Sequence, residues 1–323
     1  MTPLYDVRGN RYAVITPHAL REQGIDLPAH AEQAAQTHKG WAYPAIAAHC
    51  TWPSNQRPEG AKPHRCDGLL VGPFQDAAPF DLLIVNTDGT LAERSGNGLT
   101  IFAQFLADTA RVDAGSTFTL RVHHDKAHSP ASVFLRPAPA GFWLDLGAPS
   151  FGPLAVDAGP ARVSPAVFNG REVSRVAALV QVDSQWAQSV MVRIGNPHCV
   201  TLLGGTHELP IFAASLHQRL QAIAFAEDSA GSGDPCPAGI NLQWARLTAP
   251  DEIEARVFER GEGPTASSGT SASAVACAAW AAGWIKAGLV KVKMPGGTAP
   301  VQLVEADGAL QQVLLLGSAA RVQ

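Results

Sequence analysis

Ser95-Gly96-Asn97-Gly98-Leu99-Thr100-Ile101-Phe102 and Ser268-Gly269-Thr270-Ser271-Ala272-Ser273-Ala274-Val275 decide how this chain reads. Each stretch opens on a serine followed by glycine and runs into apolar residues at helical spacing: Leu99, Phe102, Ala103 and Leu106 in one, Ala272, Val275, Ala276 and Ala279 in the other. Each follows a strand-like run and a polar loop, Asn86-Thr-Asp-Gly-Thr-Leu-Ala-Glu-Arg before Ser95 and Glu259-Arg-Gly-Glu-Gly-Pro-Thr-Ala-Ser before Ser268. The two lie about half the chain apart, so the sequence is read as two similar halves. The separation is far too long for a solenoid repeat.

Outward from these helices the chain is strand-rich. Runs at Tyr12–Ile15, Gly68–Val71, Asp81–Val85, Thr117–Val122, Ala131–Leu135, Gly141–Leu146, Val190–Ile194, Val200–Leu203, Leu242–Leu247, Glu254–Phe258, Val290–Met294, Val301–Glu305 and Gln311–Leu316 alternate or are wholly apolar, with turn residues between them. Leu216–Ala226 is a third helix candidate. The expected class is α+β in two similar halves, with sheets dominating and a few helices packed on them. The first lobe is expected at 1–136 with 310–323 and the second at 137–309. Five tryptophans, Trp143, Trp186, Trp244, Trp280 and Trp284, are expected in the second lobe's core.

Composition narrows the function classes. In 323 residues, 46% are apolar and 16% charged, which suits a folded core rather than a disordered chain. The net charge is −4 and no basic run occurs, so neither nucleic acid nor an anionic membrane is an expected partner. The N-terminus has no secretory pattern. The apolar window Ala272–Leu289 contains Lys286 and many small residues, and reads as a buried helix rather than a membrane span. Five cysteines with no C-x-x-C pair give neither a disulfide framework nor a zinc knuckle, and a reducing cytoplasm is expected. His123-His124-Asp125 with His128 follows a strand and is read as a solvated turn, not a metal site. Cys66 and Cys277 are read as core.

A helix start presents backbone N–H groups without partners inside the helix, together with the positive end of the dipole. Glycine beside the cap lets a ligand come close to the backbone. Such an end takes a carboxylate or phosphate, and two of them, one per half, are expected to grip one small acid in a cleft between the lobes. Each serine alone also reads as an ordinary N-cap. Asparagines at strand ends, Asn10, Asn86, Asn196 and Asn241, are either turn residues or a hydrogen-bonding wall.

Taken in order, Gly9-Asn10, Cys66-Asp67-Gly68-Leu69-Leu70, Asn86-x-Asp88-Gly89 with Ser95-Gly-Asn-Gly98, Gly195-Asn-Pro-His198, Gly239-Ile-Asn241, Glu259-Arg-Gly261 with Gly269-Thr270, and Pro295-Gly-Gly297 resemble the diaminopimelate epimerase family over nearly the whole chain. The resemblance implies two pseudo-symmetric lobes, each a mostly antiparallel sheet wrapped around a central helix, a site in the cleft, a small-molecule amino acid as substrate and no metal, pyridoxal phosphate or other cofactor; it also carries the option of a homodimer. In that family two cysteines face each other across the substrate's α-carbon, one removing the proton and the other delivering one. Here both cysteine positions are serine, Ser95 and Ser268. By resemblance Gly96, Asn97, Gly269 and Thr270 hold the α-carboxylate, while Asn10, Asn86, Asn196, Asn241, Glu259 and Arg260 contact the distal end and His198 supports the site.

A serine hydroxyl titrates above every side chain in the reference set, and a helix dipole worth about 0.3–2 kcal/mol does not bridge that gap. Three readings therefore stay open: an amino-acid epimerase or racemase, an isomerase or dehydratase acting on a more acidic carboxylic acid, and a paralogue that binds an amino acid without turnover. A partner that activates either serine cannot be assigned from sequence.

Overall fold

Arg8 and Gly9 have φ of +52° and +84°, and this tight turn folds β1 (Leu4–Val7) back on β2 (Asn10–Ile15) as an antiparallel hairpin. It opens the first of the two compact units, Met1–Asp145 with Leu316–Gln323 and Leu146–Leu315, into which the chain divides in the computed structural model. The structure describes residues 2–53, 56–113, 115–205 and 207–322.

In the first unit β2 runs parallel to β3 (Gly68–Val71). A parallel pair needs a long crossover. Three helices supply it: α1 (Pro17–Glu22), α2 (Ala31–Gln36) and α3 (His38–His49). Their residues Leu20, Ala34, Trp41, Ala45 and Ile46 share one apolar core with Ala13, Ile15, Leu69, Val71, Leu83 and Val85. β3 is antiparallel to β4 (Phe80–Asn86), which is parallel to β5 (Phe118–His123). The crossover between those two is α4 (Gly96–Asp108). A meander of β5, β6 (Ala131–Ala138) and β7 (Gly141–Asp145) follows, and the short strand Ala320–Arg321 pairs with β1. Because β7 is the hairpin partner of β6, the unit extends to 145 rather than 136. α4 lies against the other residues of these strands: a Cβ on Gly98 would stand 3.4 Å from Leu70, and one on Gly72 2.9 Å from the Phe102 ring. Ten of its thirteen residues are buried, as for a helix enclosed on several sides.

The second unit begins with β8 (Ser150–Phe151), β9 (Val163–Phe168), β10 (Arg171–Val176) and α5 (Ala177–Val182). It then repeats the order of the first. β11 (Ser189–Ile194) turns at Gly195 into β12 (Asn196–Leu202), an antiparallel hairpin. β12 is parallel to β13 (Asn241–Ala249), with α6 (Ala214–Ala224) in the crossover. β13 is antiparallel to β14 (Glu252–Glu259). After β15 (Gly263–Thr265) and α7 (Gly269–Ala281), β14 runs parallel to β16 (Gly288–Met294), and β17 (Gly297–Ala306) and β18 (Ala309–Gly317) complete the meander. The two halves expected from the serine-glycine repeat are thus the same sequence of pairings, and the fold is α+β.

α7 is rich in alanine and other small residues, and eleven of its thirteen residues are buried. Among the described residues no helix is long and apolar enough to cross a membrane. Opposite α7 in the strand alternation, Met191, Cys199, Leu242, Trp244 and Phe258 form a core with Leu179, Leu220 and Ile223. Trp186 and Trp244 belong to it, with ring centroids 4.9 Å apart. Trp143 lies in β7 of the first unit, and Trp280 and Trp284, half-buried at the end of α7 and just after it, sit outside that cluster.

The histidine segment is a solvated turn only over Asp125–His128, which are exposed. His123 and His124 are buried, and His123 Nε2 lies 3.0 Å from Asp81 Oδ1, a carboxylate also gripped by Arg121 at 2.6 and 2.8 Å. Parallel pairing of β4 with β5 brings these residues together, and sequence order does not reveal it.

Candidate functional site

Each serine-glycine stretch folds as a capped helix start. Ser95 has extended backbone geometry, and its Oγ accepts the Gly98 N–H at 3.1 Å. Ser268 does the same for the Ser271 N–H at 3.4 Å. The match continues one turn on: Thr100 Oγ1 donates to the Gly96 carbonyl at 2.9 Å, and Ser273 Oγ to the Gly269 carbonyl at 3.0 Å. The cap serves the third helical amide. The first two, at Gly96 and Asn97 and at Gly269 and Thr270, come before intrahelical bonding begins. All four residues are buried. Two helix starts of one construction therefore present their leading amides and positive dipole ends, a setting that suits a carboxylate.

In the first unit, strand register assembles the surroundings of Ser95. Tyr12 is registered with Gly68, and Gly68 with Asn86, so the three form one row across β2, β3 and β4. Asn10 precedes Tyr12 by two residues and shares its face. The expected residues Asn10 and Asn86 therefore meet at one end of this sheet face. Gly68 is required there, since a Cβ would stand 2.7 Å from both Tyr12 Cε1 and the Val85 carbonyl oxygen. Over that glycine the Tyr12 ring extends to place its hydroxyl 3.4 Å from Ser95 Oγ. Asn86 secures the loop towards Ser95: its Nδ2 donates to Thr90 Oγ1 at 3.0 Å, and Asp88 Oδ1 accepts from the Thr90 amide at 2.9 Å.

In the second unit His198 occupies the register position that corresponds to Tyr12, and its parallel partner Asn241 corresponds to Gly68. Asn241 is a tie between two loops. Its Nδ2 donates to the Pro197 carbonyl at 3.2 Å, and its Oδ1 accepts the Arg260 N–H at 2.9 Å. Asn196, His198, Glu259 and Arg260 are thereby brought together around one buried amide. The Arg260 guanidinium also donates to the Ala238 carbonyl at 3.2 Å. His198 is fully buried, with Gln243 Nε2 3.0 Å from its Nδ1. The same Nε2 donates to Ser271 Oγ at 3.0 Å, linking His198 to the first turn of α7. Burial, reinforced by the Arg260 and Arg193 charges, pushes the imidazole down to about 3. It is neutral at ordinary pH and tied through Gln243 to α7.

Other thiols do not replace the missing cysteines. Burial pushes Cys199 and Cys236 up to about 12 and Cys277 higher still. Cys66 is hydrogen-bonded to Cys50, which holds its thiol below the ordinary value, but both belong to the core on the α1–α3 side of the sheet. No group of acidic, histidine or cysteine side chains among the described residues could hold a metal ion.

Sequence reasoning missed Tyr12 as a site residue. Its signal was period two from Asn10, on a strand whose other face is plainly core.

A profile of the diaminopimelate epimerase family matches residues 190–322. A protein named diaminopimelate epimerase 2 from Nostoc sp. is 31% identical over 245 residues, 73% of this chain and 74% of the relative. This chain belongs to the diaminopimelate epimerase family. A diaminopimelate epimerase of Pseudomonas syringae pv. tomato is 26% identical over 302 residues, 92% of this chain and 88% of that one. Among solved structures, a predicted epimerase of Pseudomonas aeruginosa superposes with a TM-score of 0.57 at 16% identity, covering 100% of this chain and 98% of that chain. A hydroxyproline epimerase of Agrobacterium vitis, with bound trans-4-hydroxy-L-proline, gives 0.57 at 13% identity, covering 99% and 88%. These two share the fold. As a member of the diaminopimelate epimerase family, the chain is an isomerase of the epimerase and racemase type.

Proposed function

We propose that the protein is a cofactor-independent isomerase acting at the α-carbon of an amino acid, with Ser95 and Ser268 in the two acid–base positions. The observation that carries this reading is the identical construction of the two helix starts, each an oxygen cap beside two leading amides suited to a carboxylate. In this reading Gly96, Asn97, Gly269 and Thr270 hold the α-carboxylate and stabilise the negative charge that develops when the α-proton leaves. Glu259 and Arg260 read a distal ammonium and carboxylate, with Asn10, Asn86 and Asn196 completing the polar wall and Asn241 fixing the Arg260 backbone. The substrate is then diaminopimelate or a related diamino or basic amino acid, as the names of the curated relatives suggest.

The test is α-proton exchange in D₂O followed by NMR, with L,L- and meso-diaminopimelate, lysine, histidine and glutamate as candidates. Exchange with one of them supports the reading; exchange with none overturns it, and thermal stabilisation without exchange marks binding without turnover instead. The hydroxyl caps favour a second reading, isomerisation or dehydration of a carboxylic acid with a more acidic proton, which appears in the same assay as a new absorbing product.

A further inference from the structure

We propose that Tyr12 is the proton-holding partner of Ser95, the group whose ionisation lets a serine work in this position. The inference rests on the reading above, that a substrate α-carbon meets the Ser95 hydroxyl. Three observations carry it. The Tyr12 hydroxyl lies 3.4 Å from Ser95 Oγ. The ring is held in place by the missing side chain of Gly68, where any Cβ would strike Tyr12 Cε1 and the Val85 carbonyl oxygen at 2.7 Å. Both hydroxyls stand at the end of the sheet face that carries Asn10 and Asn86 and beside the leading amides of α4.

The chemistry follows from the two hydroxyl types. A phenol has a reference pKa near 10, whereas an aliphatic hydroxyl lies beyond the titrating range of proteins. Ser95 accepts the Gly98 amide through one lone pair, which leaves its own proton and a second lone pair for transfer. In the step, the substrate Cα–H bond breaks and its proton goes to Ser95 Oγ. The proton that Ser95 carried passes to the Tyr12 phenolate, which becomes phenol. The C–H electron pair stays on the substrate as the enolate of its carboxylate, facing the helix amides. The return step reverses each transfer. While the enolate stands, the hydroxyl protons of both Ser95 and Tyr12 exchange with solvent, so the return step delivers deuterium from Ser95 to the α-position. The amide of Gln243 stands in the second unit between His198 and Ser271, both of which it meets through one nitrogen, and His198 stays neutral. The titrating partner is thus a feature of the Ser95 side.

The test compares wild type with Tyr12→Phe, which keeps the ring over Gly68, using D₂O exchange on the substrate found above. Exchange kcat is expected to fall about 100-fold or more, the usual worth of a positioned acid–base group, with KM within about threefold. Wild-type exchange should rise with pH to an inflection set by the phenol. The chain has three tyrosines, so growth on 3-fluorotyrosine replaces them all. This label should move the inflection to lower pH in wild type and leave Tyr12→Phe unmoved. A Tyr12→Phe protein that exchanges within about twofold of wild type, or a wild-type inflection indifferent to the label, overturns the inference and leaves the proposed function standing. Exchange absent from wild type overturns the proposed function and the inference with it.

Discussion

Acid should unfold the second unit through a single buried imidazole. His198 is fully buried and held down to about 3, first by burial and then by the Arg260 and Arg193 charges, with only the Gln243 hydrogen bond working the other way. In the unfolded chain a histidine titrates near 6.5. Below that pH the unfolded state binds a proton that the folded state refuses, so stability falls as pH drops from about 6.5 towards about 3. Between pH 7.5 and pH 5 the unfolded histidine gains about 1.5 pK units of proton-binding free energy. At about 1.4 kcal/mol per unit, this site alone removes about 2 kcal/mol. The perturbation is His198→Gln, which cannot titrate, compared with wild type by urea unfolding at both pH values. Trp186 and Trp244, in the same core, report the transition. Asp81, His49 and His124 also have shifted pKa values, but they are common to both proteins and cancel in the difference. Wild type should lose about 2 kcal/mol more than the variant. Equal losses would falsify the claim that His198 stays neutral.

Gly68→Ala places a methyl against the Tyr12 ring and the Val85 carbonyl; overpacking of this kind costs about 1–3 kcal/mol, and at about 2–4 °C per kcal/mol the melting temperature should drop by about 2–12 °C, together with exchange activity, whereas an unchanged melt and rate would show that the ring is not confined. Gln243→Leu strands Ser271 Oγ and His198 Nδ1 without their shared donor, for a loss of about 2–5 kcal/mol by chemical denaturation. The double variant Ser95→Cys, Ser268→Cys supplies thiols with reference pKa near 8.5 and should increase exchange measured by NMR; a folded double variant with less exchange than wild type would argue against acid–base roles for these positions. Tyr12→Phe, described above, should separate kcat from KM.

The caps were legible because capping is local: a serine, a glycine and the helical spacing that follows lie within a dozen residues. The repeat was legible for the same reason, since the stretches at Ser95 and Ser268 carry the same signal twice. What escaped depends on distant pairing. The contact of Tyr12 with Gly68 joins strands more than fifty residues apart in the chain, and the burial of His123 follows from the parallel match of β4 with β5. α1 and α2 are six residues each, too short for periodicity, and α3 carries Gly40 and Pro44. Even so, a start signal was present: Thr16 caps the Ala19 amide at 3.3 Å, with Pro17 at the first helical position.

Registering the two units position by position shows where they part company. Tyr12 and His198 are each the first residue of their strand matched to the parallel neighbour, and each lies two residues after an asparagine that follows a glycine turn. In one unit that position carries a hydroxyl that reaches the cap serine. In the other it carries an imidazole that burial has discharged, tied through an amide to the first turn of the helix rather than to the cap oxygen. A pair of thiols needs no such help, because each titrates near neutrality when a helix start lowers it. A pair of serines does need it, and the units answer differently. The proposed chemistry therefore predicts an imbalance: deuterium should enter the substrate faster than the centre inverts, since proton removal and return on the Tyr12 side do not wait for delivery from Ser268. Measuring exchange and inversion in one sample, by NMR and chiral chromatography, gives that ratio directly. Equal rates from the first turnover would mean that Ser268 has an acid–base partner as competent as Tyr12.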